Sequence, residues 1–284
     1  MPTVIVTGGS GKLGQACVRD LVEHGWDVVN VDQVAPAEDI ARYVEVDLTD
    51  YGQVVAALGA VDGAVTTVDA VVHLAAIPAP GRKPNAVTFD NNVPSTYHIL
   101  EAARTLGITK VVLASSETVL GLPFDMPPPY APVDEEYFPR PESAYSLGKL
   151  LEETMAAQYC RWNPELTVSS LRFSNVMRPE DYAKFESFQD DAALRKWNLW
   201  GYIDARDGAQ AIRLALGRAD TGFEAFIVAN ADTVMRRPSA ELLAEVFPDV
   251  EVRGQVTGTE TLLSIGKAQR ILGFAPAHSW RDQV

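Results

Sequence analysis

Short continuous apolar runs punctuate the first 230 residues, and between them the apolar positions switch to helical spacing. The runs are TVIVT (3–7), DVVNVD (27–32), YVEV (43–46), DAVVHLAA (69–76), KVVLASS (110–116), TVSSLRFS (167–174) and FEAFIVA (223–229). Near-continuous apolar runs of this length belong to strands buried on both faces. The segments between them predict helices near 12–24, 50–58, 90–106, 143–161 and 205–217. Strand–helix alternation predicts an α/β fold, a doubly wound parallel sheet with helices on both faces.

Two stretches break the alternation. Residues 121–141 (GLPFDMPPPYAPVDEEYFPRP) are proline-rich and read as a surface loop beside whatever the sheet presents. Residues 176–200 are polar and aromatic without a clear period, and the tail predicts helices near 238–246 and 264–272, the second closed by Gly273. There is no internal repeat or low-complexity linker. The expected organisation is a sheet domain over 1–175 and 201–230, with a small substrate lobe from 176–200 and 231–284 over the C-terminal edge of the sheet.

Composition narrows the class. The chain has 284 residues, 47% apolar and 22% charged, which is a globular balance. No apolar run approaches the roughly 20 residues of a membrane span, and the amino terminus lacks a basic region ahead of a long apolar one. The expectation is a cytoplasmic protein without a membrane partner. A net charge of −14 repels phosphate backbones and argues against nucleic acid. Cys17 and Cys160 lack metal-ligand spacing and read as buried thiols in a reducing compartment. No metal site is expected. His73 reads as a strand-end residue lining the cleft, and His24, His98 and His278 as surface or packing residues.

The stretch TGGSGKLG (7–14) follows the first run directly and places glycines at 8, 11 and 14. A strand, such a turn and then a helix suit a dinucleotide pyrophosphate. Gly8 permits the turn, Gly11 lets backbone and phosphate approach, and Gly14 lets helix and strand pack, with the helix N-terminus aimed at the anion. The second run ends in Asp32, eighteen residues after Gly14, close to the spacing of an acid that binds the adenosine ribose. Its charge disfavours a 2′-phosphate, and Gln33 and Val34 follow where an arginine would accept one, so NAD is the expected cofactor. Lys12 either reaches a 2′-phosphate, admitting NADP, or is solvated.

YSLGK (145–149) sets Tyr145 and Lys149 at i and i+4, on one helix face. An ammonium beside a phenol, or the positive charge of an oxidised nicotinamide, stabilises the phenolate and makes Tyr145 able to exchange a proton with a substrate hydroxyl. The run KVVLASS ends in Ser115 and Ser116 at the sheet edge where α/β proteins bind ligands, so a serine there can hydrogen-bond the reacting oxygen.

Taken together these motifs resemble the extended short-chain dehydrogenase/reductases, the group with the NAD-dependent epimerases and dehydratases, over most of the chain. TGGSGKLG fits that family's TGxxGxxG, which brings Leu13 into the cofactor loop. VDLTD resembles its adenine segment (Asp47, Leu48), and HLAA its cofactor-lining strand end (Leu74, Ala75, Ala76). NNV contains its central-helix asparagine (Asn92). Ser116, Tyr145 and Lys149 match its catalytic set, Lys149 also holding the nicotinamide ribose. LRFSNV, YIDARD and SIGKAQRILGFAP resemble later family stretches, with Asn175 near substrate. The resemblance implies a Rossmann fold, hydride transfer on a sugar-derived substrate, and a homodimer through the helices near 90–106 and 143–161.

The departures bear on substrate. Many nucleotide-sugar members carry Arg-Asp before the YIxV stretch, where the arginine holds a diphosphate; here Trp200 and Gly201 stand there. The region after Asn175 is short. In both respects the chain is more similar to the uronate dehydrogenases of the same family. Arg178, Lys184, Arg195 and Lys196 are candidate anion anchors, Arg178 the foremost, and Glu117 either faces the substrate or caps its loop. Three functions remain open: a dehydrogenase of a sugar or sugar-like alcohol, a nucleotide-sugar 4-epimerase with retained NAD, and a non-catalytic dinucleotide sensor.

Overall fold

The computed structural model describes residues 1–59 and 67–283. Its elements are β1 (Thr3–Thr7), α1 (Lys12–Glu23), β2 (Asp27–Asp32), β3 (Arg42–Glu45), α2 (Tyr51–Leu58), β4 (Ala70–His73), α3 (Asn85–Leu106), β5 (Lys110–Ser116), β6 (Tyr130–Ala131), α4 (Ala144–Trp162), β7 (Thr167–Phe173), β8 (Val176–Met177), β9 (Ile203–Asp204), α5 (Ala205–Leu216), β10 (Gly222–Val228), α6 (Ser239–Val246), β11 (Glu251–Val252) and α7 (Gly266–Leu272). Seven strands form one sheet in the order β10-β7-β5-β4-β1-β2-β3, and every pairing in it is parallel. The chain winds outward from β1 to β3, then crosses back to β4 on the other side. The switch point, where ligands bind in such sheets, therefore lies between β1 and β4.

Strand residues alternate between the two faces. Val4 and Val6 of β1 join Cys17 and Leu21 of α1 and Ile212 of α5 on one side. Ile5 joins Val54 of α2, Ile99 and Leu100 of α3 and Tyr159 of α4 on the other. The first of these clusters runs on without a break to Trp200, Phe247 and Leu263.

Two regions differ from the sequence expectation. Helix α3 starts at Asn85, more than a turn before residue 90, directly after Pro84. Its polar and β-branched first turns and the internal Pro94 argue against a helix locally. Burial of Thr88, Asn92, Ser95 and Thr96 overrides that preference. The proline-rich stretch is no surface loop: Leu122, Phe124, Tyr130 and Val133 are buried, and β6 pairs with β11. Its apolar side chains, spaced between the prolines, draw it inward. Residues 179–188 and 192–198 form 3-10 helices, consistent with the absence of a 3.6-residue period. Gly273 does close α7 in the left-handed conformation, at φ 73°.

The turn after β1 is fixed by contact. A β-carbon on Gly8, whose φ is +72°, would stand 2.5 Å from the Ala75 nitrogen, and one on Gly14 would stand 2.1 Å from the Gly8 oxygen. Gly14→Ala is therefore expected to force the turn apart and cost about 1–3 kcal/mol, read as a lower midpoint in urea; an unchanged midpoint would show that the turn gives way freely.

Candidate active site

A cleft of about 870 Å³ opens along the C-terminal ends of the strands. Gly8, Gly11, Lys12, Leu13 and Gly14 line it at β1, and Asp32 and Leu48 at the β2 side. Leu74, Ala75 and Ala76 line it after β4; Ser116, Glu117, Tyr145, Lys149 and Asn175 line the opposite end. Three expected residues are not among those that line the cleft. Asp47 accepts from the Thr49 nitrogen (2.9 Å) and hydroxyl (2.7 Å) and so closes the turn into α2. Asn92 clamps the loop after β4, accepting from the Ile77 nitrogen (2.8 Å) and donating to its carbonyl (3.1 Å). Arg178 donates to Gln15 at 2.9 Å.

The cofactor end suits an anion with adjoining ribose hydroxyls. Helix α1 begins at Gly11 without a side-chain cap, so its first N–H groups and dipole face the cleft unneutralised. A β-carbon on Gly11 would meet only the Gly8 oxygen, at 3.2 Å; packing does not demand a glycine there as it does at Gly14. Asp32 accepts from the Ser10 nitrogen (3.0 Å) and the Val34 nitrogen (3.2 Å), which holds its carboxylate at the cleft edge. Lys12 is exposed yet engaged, and it does not turn to the Asp32 side. It pairs with Asp181 at 2.7 Å and donates to the Val176 carbonyl at 3.2 Å. Burial opposes ionisation of Asp181, but Lys12 and Lys184 outweigh it and hold the carboxyl well below its usual range.

At the other end, α4 starts with a capping box in which Ser143 and Ser146 each receive the other's backbone nitrogen, at 2.9 and 3.1 Å. That fixes the first turn and with it Tyr145. Both Tyr145 and Lys149 are buried, and the Lys149 nitrogen lies 5.9 Å from the phenol ring centre. Burial raises the Tyr145 hydroxyl above its ordinary value, against the pull of the Lys149 ammonium and the Ser116 hydroxyl. Ser116 Oγ accepts from the Thr118 nitrogen (3.2 Å) and hydroxyl (3.0 Å), which leaves its own proton to give. Ser115 turns the other way, donating to Glu153 at 2.6 Å. His73 stands behind the cleft instead of lining it, between Thr7 (2.7 Å) and Thr96 (3.1 Å), and burial pushes its pKa down to about 3.

Glu117 ties down its loop and also borders the cleft. Its carboxylate accepts from Ser174 (2.6 Å) and Asn198 (3.0 Å). Burial pushes its pKa up to about 7, against those hydrogen bonds and Arg195. The other cations of residues 176–200 turn elsewhere. Arg195 is buried with its guanidinium 4.3 Å from the Trp197 ring centre, and Lys184 pairs with Asp181 at 2.6 Å. Neither these two nor Lys196 is among the cleft-lining residues; the cations that are, among the described residues, are Lys12, Arg82 and Lys149. Trp200 is buried, its indole donating to the Ala192 carbonyl at 2.8 Å.

Sequence reasoning missed Trp197, Thr118, Arg82 and the loop Ile77–Pro80, all of which line the cleft. Thr118 and Ile77 follow recognised motifs within two residues; Trp197 lies in the aperiodic segment and carries no local signal. Among the described residues no three His, Cys, Asp or Glu side chains group to hold a metal. Among them, too, no helix is long and apolar enough to cross a membrane.

A parallel sheet with a glycine turn at its switch point and a tyrosine–lysine pair across the cleft defines a dinucleotide-dependent enzyme. The chain belongs to the NAD dependent epimerase/dehydratase family, which matches residues 4–229. It is 32% identical over 188 residues to the UDP-glucose 4-epimerase of Erwinia amylovora, covering 61% of this chain and 53% of that protein. It is 27% identical over 195 residues to the NAD-dependent glucose-6-phosphate dehydrogenase of Haloferax volcanii, covering 64% and 72%. In sequence the chain spans about half the length of the epimerases it matches. A crystal structure of UDP-galactose 4-epimerase superposes with a TM-score of 0.70 at 29% identity, over 98% of this chain and 94% of that one.

Two outcomes test this geometry. Gly11→Ala should leave the melting temperature in place and weaken NAD binding on the order of tenfold or more, about 1.4 kcal/mol, in calorimetric titration; equal affinity would mean that nothing passes close to Gly11. Glu117 has the higher proton affinity in the folded state, from an ordinary 4.5 to about 7. Its stabilisation is complete below pH 4.5 and is lost as pH rises through 7. The melting temperature of Glu117→Gln, relative to the parent, should therefore climb across that window; a flat difference would refute the assignment.

Proposed function

We propose that the protein is an NAD-dependent oxidoreductase that interconverts a hydroxyl and a carbonyl on a sugar or sugar-like small molecule. The observation that carries this reading is the substrate end of the cleft. Where resemblance expects a diphosphate-binding arginine, Trp200 is packed into the core, and Arg195 and Lys184 are committed elsewhere. None of Arg178, Lys184, Arg195 and Lys196 lines the cleft, and a single sugar fits the chemistry of Ser116, Glu117 and Asn175. The Haloferax volcanii dehydrogenase gives a family precedent for a sugar without a nucleotide.

The residues divide the work as follows. NAD, when bound, supplies the hydride acceptor, cradled by the Gly8–Gly14 turn, Asp32 and the loop after β4. Ser116 Oγ donates its free hydrogen to the reacting oxygen and sets its orientation. Tyr145 Oη takes the hydroxyl proton as the carbonyl forms and returns it in the reverse direction. Lys149, by the family resemblance, binds the nicotinamide ribose, and its ammonium favours the phenolate. Asn175 stands at the substrate side. The exposed Tyr97 on α3 and Leu147 on α4 suit a homodimer across those helices.

The second reading, a nucleotide-sugar 4-epimerase with retained NAD, is favoured by the Erwinia amylovora relative. Release of nucleotide from the purified protein separates the two. An empty site, with NADH formed from a free sugar or sugar acid and no response to UDP-sugars, is the expected result; stoichiometric bound NAD with epimerisation of a UDP-sugar would overturn it. Tyr145→Phe should lower turnover by roughly 10²–10⁴ while NAD still binds. If the cellular effect survived that change while NAD still bound, a dinucleotide sensor would be the better reading.

A further inference from the structure

Lys149 has a buried counter-charge that the reaction scheme above does not use. Its ammonium donates to the Ala114 carbonyl at 2.8 Å and to Glu152 at 2.9 Å, and both side chains of that ion pair are 4% exposed. The neighbouring Glu153 is spent differently: it is bound by Arg172 at 3.0 and 2.8 Å and by Ser115. Glu152 is thus the carboxylate that neutralises the lysine. We propose that Glu152 is a positioning residue of the Tyr145–Lys149 pair, holding the ammonium against β5 and damping the field it casts on the phenol.

The reasoning rests on the reading of Tyr145 as the proton-exchanging group. A bare ammonium pulls the phenol toward ionisation, and a carboxylate within one ion-pair distance of it pushes back. Both effects fall on Tyr145, the lysine lowering its proton affinity and Glu152 raising it. For Lys149 itself burial disfavours the charge, but Glu152, together with Tyr145 and Glu153, outweighs it and the amine stays raised. The other groups facing this cluster are Glu153, with Arg172 of β7 behind it, Thr96 of α3, the uncharged His73 of β4 and Glu117 after β5. Glu152→Gln keeps volume and an acceptor for Lys149 and removes only the charge.

The test is the appearance of tyrosinate absorbance with rising pH, each protein referenced to its own Tyr145→Phe partner, beside the pH profile of turnover. In Glu152→Gln, Tyr145 should ionise roughly one pH unit lower, and the acid limb of turnover should move with it. Glu152→Asp keeps the charge and should hold the parental titration. An unmoved tyrosinate curve in Glu152→Gln, or equal movement in both variants, overturns the proposal, since a structural role alone would alter only the melting temperature. The absorbance reads the pair whether or not turnover needs Tyr145, so failure of the catalytic reading would show separately, as activity surviving Tyr145→Phe.

Discussion

The cleft exists because three backbones pass within contact distance at the end of β1. The Gly8 nitrogen donates to the Val31 carbonyl of β2 at 2.8 Å, and the Leu74 nitrogen after β4 donates to the Thr7 carbonyl at 3.0 Å. The chain leaving β1 therefore threads between two neighbours that it must nearly touch. Side chains at Gly8 and Gly14 would fill that space. Without the approach, α1 would stand off the sheet, its N-terminus would miss the crevice, and the anion site would lose its dipole. The switch in winding direction opens the crevice, and the glycines let the helix close on it.

A second constraint is electrostatic. α4 buries Lys149, Glu152 and Glu153 on one face, and unpaired charges there would cost several kcal/mol each. Two ion pairs remove most of that penalty, Lys149–Glu152 and Arg172–Glu153. The second ties α4 to β7, while Lys149 ties it to β5 through the Ala114 carbonyl. The tyrosine is thus carried by a helix pinned to two adjacent strands. Ser116, at the end of one of them, shares that frame, which explains how residues 29 positions apart in sequence come to line one end of the cleft.

The parts legible in the sequence were those whose physics is local. Strand runs, the glycine turn and the i, i+4 pair of Tyr145 and Lys149 each follow from neighbours in the chain, and the sheet and family membership came with them. What escaped was decided by distant partners. Lys12 meets Asp181 across 169 positions, so no window around TGGSGKLG reveals it. Asp47 and Asn92 sit in the right motifs, yet their side chains are spent on the turn into α2 and on the loop after β4. Arg195 reads as an available cation, and only the packed structure shows it stacked on Trp197. The burial of the proline-rich stretch depends on β11, more than a hundred residues on.

The substrate end carries its own sign of constraint. Leu199 and Trp200 both take positive φ, 54° and 58°, a conformation that disfavours bulky side chains and costs on the order of 1–3 kcal/mol per residue. Two in succession persist only where the surroundings leave no alternative. Here both side chains are fully buried, and the Gly201 carbonyl that follows receives Arg195 (3.1 Å) and Asn198 (2.9 Å). The twist sends the indole into the core, and Asn198, which takes the Gly201 carbonyl, also donates to Glu117 in the cleft wall. A tryptophan in the core and a carboxyl at the wall are therefore two ends of one arrangement. It packs an aromatic ring at the position where the sequence resemblance expects an arginine, and it fixes the Glu117 carboxyl at the cleft wall.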